Sequence, residues 1–281
     1  MDVRDKVFVV TGGGNGIGRE VVLGLLARGA RVAALDVSEA GLAATASQSL
    51  SVDRLSTHQV DVTDAERVDA LPDEVLAAHG QIDGLLNIAG IIQRFVKFND
   101  LSHADITKVI NVNFYGVVNM VQAFLPHLLT RPQATLLNVS SMGGFVPVPG
   151  QTIYGASKAA VKLLTEGLRA ELRGTNVAVT VVFPGAIRTD ITANSGVTAP
   201  GSAAGSEPAP TPESAATGTG EGPRMTSAAD AAAAIIRAVE RGTYRVFIGN
   251  DSKGLDVLTR LAPERAMNLI AQQMAHLLKD R

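Results

Sequence analysis

The chain contains no cysteine. That absence removes disulfides, thiolate metal sites and a cysteine nucleophile together, and it fits a reducing compartment. An excess of either charge is also missing. Lys and Arg number 25 against 27 Asp and Glu, a formal net charge of −2. There is no basic footprint for nucleic acid, and no run of like charges long enough to be an interaction tail. Long apolar runs are absent too. Val7-Phe8-Val9-Val10 is far too short for a signal segment or a membrane span, and no small-residue cleavage site follows it. These absences lead to the expectation of a soluble, cytoplasmic protein without nucleic-acid or membrane partners. At 281 residues the chain can bury a large core without a structural metal.

What is present is an alternation. Short β-branched runs at 7–11, 31–36, 55–60, 82–87, 135–140, 177–183 and 245–248 read as strands. Between them, helical periodicity runs over 16–28, 40–48, 64–78, 104–130, 155–173 and 227–240. This order predicts an α/β fold: a Rossmann-type, doubly wound parallel sheet of about seven strands, with helices on both faces. The nearly all-apolar strands at Val7–Val10 and Val179–Phe183 fit a sheet covered on both sides. A ligand crevice is then expected at the strand carboxyl ends, near the topological switch point.

One stretch breaks the pattern. Residues 195–223 are almost entirely Gly, Ala, Pro, Ser and Thr, with a few Glu. They read as a mobile insertion in a loop, because strand and helix patterns resume afterwards. The whole chain, 1–281, is therefore expected to form a single domain. The last helical pattern carries Leu255, Leu258, Leu261, Met267, Leu269, Ile270, Met274, Leu277 and Leu278, and Pro263 should divide it into two helices. Core or subunit packing, a lid over a substrate cleft and a membrane-surface contact are its three readings. Few basic residues line it, which weakens the last.

The glycine cluster Thr11-Gly12-Gly13-Gly14-Asn15-Gly16-Ile17-Gly18 follows the first strand and opens the first helix. Glycines without Cβ let the backbone turn tightly and approach a phosphate. The free N–H groups and dipole of the helix start then favour an anion. Placed between strand and helix, Gly12, Asn15, Gly16, Ile17 and Gly18 form a candidate dinucleotide site. Asp36 ends the second strand, eighteen residues after Gly18. Its carboxylate can accept from both adenosine ribose hydroxyls and would repel a 2′-phosphate, which favours NAD over NADP. Neither Val37 nor Asn15 offers a cation for that phosphate. The competing reading makes Asp36 a helix cap. Asp61-Val62 could flank the adenine, or Asp61 could cap the helix starting near Asp64. The small residues of Asn87-Ile88-Ala89-Gly90 would let a cofactor lie against the backbone.

Tyr154 and Lys158 are one helical turn apart, with Ser141 thirteen residues upstream. A phenol of ordinary pKa, about 10, is a poor base at neutral pH, and bringing it near 7 takes roughly 4 kcal/mol. The Lys158 ammonium and an oxidised nicotinamide could supply that field.

The ordered set Thr11–Gly18, Asp36, Asp61, Asn87–Gly90, Asn113, Ser140-Ser141, Tyr154-Gly155-Ala156-Ser157-Lys158 and Pro184-Gly185 resembles the short-chain dehydrogenase/reductase superfamily, in its compact single-domain branch. Ile88 departs from the family's usual Asn. The resemblance implies a nicotinamide-dependent oxidoreductase acting on an alcohol or ketone. It implies that Lys158 also holds the nicotinamide ribose. Ser141, favoured over Ser140 by its spacing, would steady the substrate oxygen. Asn113, favoured over Asn111, would hold a relay water. The resemblance also implies that Pro184, Gly185, the Ile187 backbone and the Thr189 hydroxyl meet the nicotinamide end. Homo-oligomers, tetramers rather than dimers, would assemble through the helices bearing Asn113 and Tyr154. Pocket candidates are Ile91, Ile92, Gln93, Arg94, Phe95, Gly143, Gly144, Phe145, Val146 and Gln151, a mainly apolar set in which Arg94 could meet an acidic handle or be an ordinary solvated loop residue. No metal is expected. The alternative is a non-catalytic NAD-binding sensor or scaffold.

Overall fold

A computed structural model describes residues 1–189, 191–197 and 225–273. Its strands are β1 (Val7–Thr11), β2 (Arg31–Asp36), β3 (Leu55–Gln59), β4 (Gly84–Asn87), β5 (Ala134–Val139), β6 (Val177–Pro184), β7 (Ile187–Arg188), β8 (Thr226–Ser227) and β9 (Arg245–Ile248). Seven of them form one parallel sheet in the order β3-β2-β1-β4-β5-β6-β9, while β7 and β8 pair separately. This is a single Rossmann-like domain, as the alternation predicts.

Why the central strands are apolar is visible in β1. Phe8 and Val10 enter one core and Val7 and Val9 the other, so successive side chains bury on opposite faces. The first core packs under α1 (Gly16–Leu26), α2 (Glu39–Gln48) and α9 (Ala228–Arg241). The second packs under α3 (Ala65–Asp69), α4 (Leu71–His79), α6 (Gly116–Leu129) and α7 (Thr152–Glu171). Between them in sequence lies α5 (His103–Ile110), and α8 (Ile191–Asn194), α10 (Asn250–Leu261) and α11 (Pro263–Gln273) complete the described helices.

Three expected helices are refined. The segment expected at 64–78 is two helices, broken at Ala70, where Pro72 starts the second. That at 104–130 carries a π-helical turn at Asn111–Tyr115, in which an extra residue rotates the side chains. The helix expected from 155 begins three residues earlier, at Thr152. Pro263 does divide the C-terminal pattern. Residues 198–223 of the expected insertion, and Met274, Leu277 and Leu278, lie outside the described residues.

A polar network closes the β3 edge. Ser56 Oγ meets His58 Nε2 at 2.8 Å and His79 Nε2 at 2.9 Å, and His58 Nδ1 meets Glu74 at 3.1 Å. Burial, then the charges of Arg31 and His58, hold the His79 imidazole below its ordinary pKa of 6.5. The folded protein therefore keeps His79 neutral where the unfolded chain binds a proton, so stability present above that pH is lost as pH falls through it. Asp5, Glu74 and Asp105, held below their ordinary values by ion-pair and hydrogen-bond partners, act at lower pH. We expect Tm to fall between about pH 7 and about pH 5, and His79→Leu to flatten that slope. An unchanged slope in the variant would assign it elsewhere.

Candidate active site

The sheet order puts β1 between β2 and β4. Chain connections leave β1 and β4 toward opposite faces, which opens a crevice at their carboxyl ends. Thr11 holds this crevice together: its Oγ1 accepts from Ile88 N at 3.0 Å and Ala89 N at 3.1 Å. Gly12 and Gly16 adopt φ of +72° and +51°, which favours glycine. A Cβ on Gly18 would overlap the Gly12 carbonyl oxygen, so close packing of α1 on the turn requires glycine there. Asn15 precedes α1 without capping it through its side chain. Its Oδ1 instead accepts from Asn194 at 3.0 Å. Ile17 packs against the first core.

Asp36 Oδ2 accepts from Gly14 N, and Oδ1 from Ser38 N, each at 2.9 Å. Ser38, not Asp36, caps α2 through its side chain. The carboxylate thus sits against the glycine turn, where a Cβ on Gly14 would come within 2.8 Å of it. Asp64 likewise caps α3, and Asp61 accepts from Thr63 N and Oγ1 instead. Val62 packs against the second core beside Gly116. Asn87 is buried, and its Nδ2 donates to Asn138 at 2.8 Å, so it is Ala89 and Gly90 that border the crevice. A Cβ on Gly12 would touch Ala89, and one on Gly90 would lie 2.9 Å from Lys158 Nζ. Gly185 N donates to Ile248 O at 2.8 Å and follows buried Pro184, while Ile187 begins β7. Thr189 approaches Gly16, bringing the loop after β6 to the turn.

Across the crevice, Ser141 follows β5 and hydrogen-bonds Tyr154, while its Oγ also accepts from Gly143 N at 3.0 Å. Ser140 is turned inward and donates to Lys158 O at 2.7 Å. Asn113, fully buried by the π-turn, accepts from Ile91 N and donates to Ile91 O and Ser157 Oγ. Lys158 Nζ donates to Val139 O at 3.1 Å and lies 6.0 Å from the Tyr154 ring centre. The structure therefore brings Asn113, Ser141, Tyr154 and Lys158 together beside Gly90.

The short chain dehydrogenase family profile matches residues 6–199. The chain belongs to the short-chain dehydrogenase/reductase superfamily. It is 35% identical over 274 residues to SadH of Mycobacterium tuberculosis, named as an oxidoreductase, covering 96% of this chain and 95% of that protein. A short-chain dehydrogenase/reductase from Burkholderia phymatum, solved in complex with NAD, superposes with a TM-score of 0.77 at 27% identity over 94% of this chain and 95% of that one. A short-chain dehydrogenase from Burkholderia cenocepacia, solved with NADP, gives 0.75 at 25% identity over 98% and 99%.

One pocket expectation for this short-chain dehydrogenase/reductase is corrected, at Gln93. Arg94 forms a partly exposed ion pair with Asp105 at 2.9 Å. Gln93 is buried and spends its amide on the start of α7 rather than on the crevice. Sequence reasoning also missed Arg19, whose guanidinium bonds Gly14 O and Thr45 Oγ1 beneath the turn. It missed Ser195, which accepts from Ile92 N at 3.0 Å. Thr45 lies 26 residues from Arg19, and Ile92 lies 103 residues from Ser195, so sequence order does not reveal these pairings. A cavity of about 400 Å³ lies away from this crevice, between the outer faces of α6 and α7.

Burial sets the electrostatics. It pushes the Tyr154 phenol above its ordinary value, with the Ser141 hydrogen bond opposing it. Burial lowers Lys158 from 10.5 to about 8. A buried cation facing only a carbonyl is poorly compensated, and discharging it relieves the cost. In the ligand-free protein the Lys158 ammonium should lose its proton near pH 8, as followed by NMR of labelled lysine. A midpoint at the ordinary lysine value would show that water reaches Nζ.

Proposed function

We propose that this chain is an NAD-dependent oxidoreductase that moves a hydride between nicotinamide and a secondary alcohol or ketone. The carrying observation is the convergence of Ser141, Tyr154, Lys158 and Asn113 on one side of a crevice whose other side is the glycine turn. The close backbone approaches at Gly12, Gly18 and Gly90 fit a dinucleotide lying between them. The bound nicotinamide supplies or takes the hydride.

The protein's residues handle the proton. In the oxidative direction the substrate hydroxyl proton passes to the Tyr154 oxygen as the hydride leaves carbon. Ser141 donates to the substrate oxygen and steadies its developing charge. Burial alone opposes a phenolate at Tyr154, so a charged Lys158 must accompany the reactive state. Ribose hydroxyls accepting from Nζ would give that ammonium the partners that Val139 O alone does not. Asn113 links Ile91 and Ser157 at the inner end of this set, where it would order a water between Lys158 and solvent.

Asp36 supports NAD over NADP. Its carboxylate stands at the glycine turn, position 37 is Val, and the Arg19 guanidinium is occupied by Gly14 and Thr45. A 2′-phosphate would meet a negative charge there. Isothermal titration should show NADH bound more tightly than NADPH, with Asp36→Ala reducing the preference by about tenfold, roughly 1.4 kcal/mol. Tyr154→Phe should keep NADH binding while turnover falls by about a thousandfold or more. Equal turnover in Tyr154→Phe would sink the catalytic assignment, and no turnover in either protein would favour a sensor or scaffold.

The α6 and α7 faces support a homo-oligomer, a tetramer first. Val118, Val121, Leu125, Leu129, Leu164 and Leu168 line an open apolar groove there, and Leu163 is 68% exposed beside it. An apolar surface of this kind favours burial against another subunit. Leu168→Glu should shift sedimentation to a smaller species, and an unaltered profile would place the interface elsewhere.

A further inference from the structure

Gln93 lies on the loop after β4 and is 2% exposed. Its Oε1 accepts from Ile153 N at 2.7 Å and Tyr154 N at 3.1 Å. Its Nε2 donates to Gly150 O at 2.7 Å, and its backbone carbonyl accepts from Gln151 Nε2 at 2.8 Å. Helix α7 starts at Thr152, and its own cap residue, Gln151, makes no side-chain cap bond. The first free N–H groups of a helix need acceptors. Here the acceptor comes from a different loop, sixty residues away, and it serves the second and third helical residues, as an N-cap side chain ordinarily does. The third of these is Tyr154.

We propose that Gln93 is a positioning residue that sets the Tyr154 phenol against Ser141 and couples it to the pocket loop. The inference rests on the reading of Tyr154 as the proton-transfer group. The same loop holds Asn113 through both backbone groups of Ile91, and holds Ser195 through Ile92 N. Three consecutive residues thus tie the buried asparagine, the loop after β6 and the helix bearing the phenol to one wall of the crevice. Only a primary amide of this length both accepts from two N–H groups and donates to Gly150 O. A substrate that displaces this loop therefore displaces the phenol with it.

The test compares wild type, Gln93→Met and Val75→Ala, the last a buried core change in α4 that lowers Tm at a distance from the site. The Tyr154 titration is read as tyrosinate absorbance, with Tyr154→Phe subtracted. Gln93→Met loosens the helix start and admits water, so the phenol midpoint should fall toward the ordinary value by about half a pH unit or more, while Val75→Ala leaves it in place. For any alcohol that the wild type oxidises, kcat should drop about tenfold or more with NADH affinity unchanged. A folded Gln93→Met with the wild-type midpoint overturns the proposal. Should that variant not fold, Gln151→Met, which releases the Gln93 carbonyl but keeps the cap, should move the midpoint the same way by less, and no movement overturns it. Absence of turnover in the wild type would instead defeat the oxidoreductase reading, with the titration still deciding the role of Gln93.

Discussion

Everything at the crevice depends on the parallel pairing of β1 with β4. That register, Thr11 beside Asn87, sets the glycine turn next to Ala89 and Gly90. Thr11 Oγ1 then binds the first two N–H groups beyond β4, so the two strand ends are fixed to each other by one hydroxyl. Because the connections diverge, no chain fills the gap above them. The glycines at 12, 18 and 90 let the segments around it pack closely, since a Cβ at any of them meets a neighbouring group at close range.

The side of the crevice that carries Ser141, Tyr154 and Lys158 is built by buried hydrogen bonds rather than by charge pairs. Ser140 faces inward to the Lys158 carbonyl, and that choice turns Ser141 toward Tyr154. The π-turn rotates Asn113 into the protein, where it holds the Ile91 backbone. Gln93 fixes the first turn of α7. Each such cap is worth about 0.5–2 kcal/mol, which is small against folding as a whole but large against the tolerance of a proton transfer. Lys158 stands apart. Its charge is costly where it is buried, so the resting structure stores a cation that needs partners. A site of this kind responds to what binds it.

The seven strands of the main sheet were readable within two residues because most strands of a sheet covered on both faces are β-branched apolar runs that loops interrupt, whereas the two-residue β7 and β8 were not. Helix interiors were readable from their 3.6-residue apolar period. Their ends were less so: the break at Ala70 and the early start of α7 depend on Pro72 and on Gln93, one local and one distant. That the glycine turn, Asp36, Ser141, Tyr154 and Lys158 gather round one crevice was legible because their types and spacings match the family's pattern. The role given to Gln93 was not. It was read as a lining residue from its place after β4, and it was claimed by the start of α7, which sequence order does not reveal.

The sequence by itself therefore determined the α/β alternation, the membership of a parallel sheet and the residue types gathered at the crevice. These follow from periodicity and spacing along the chain. Only the tertiary structure decided what Ser140 bonds instead, which aspartates cap helices, and which loop holds the start of α7. Those outcomes rest on hydrogen bonds between residues far apart in sequence. Their direction is set by burial, because a buried polar group must find a partner wherever the fold supplies one.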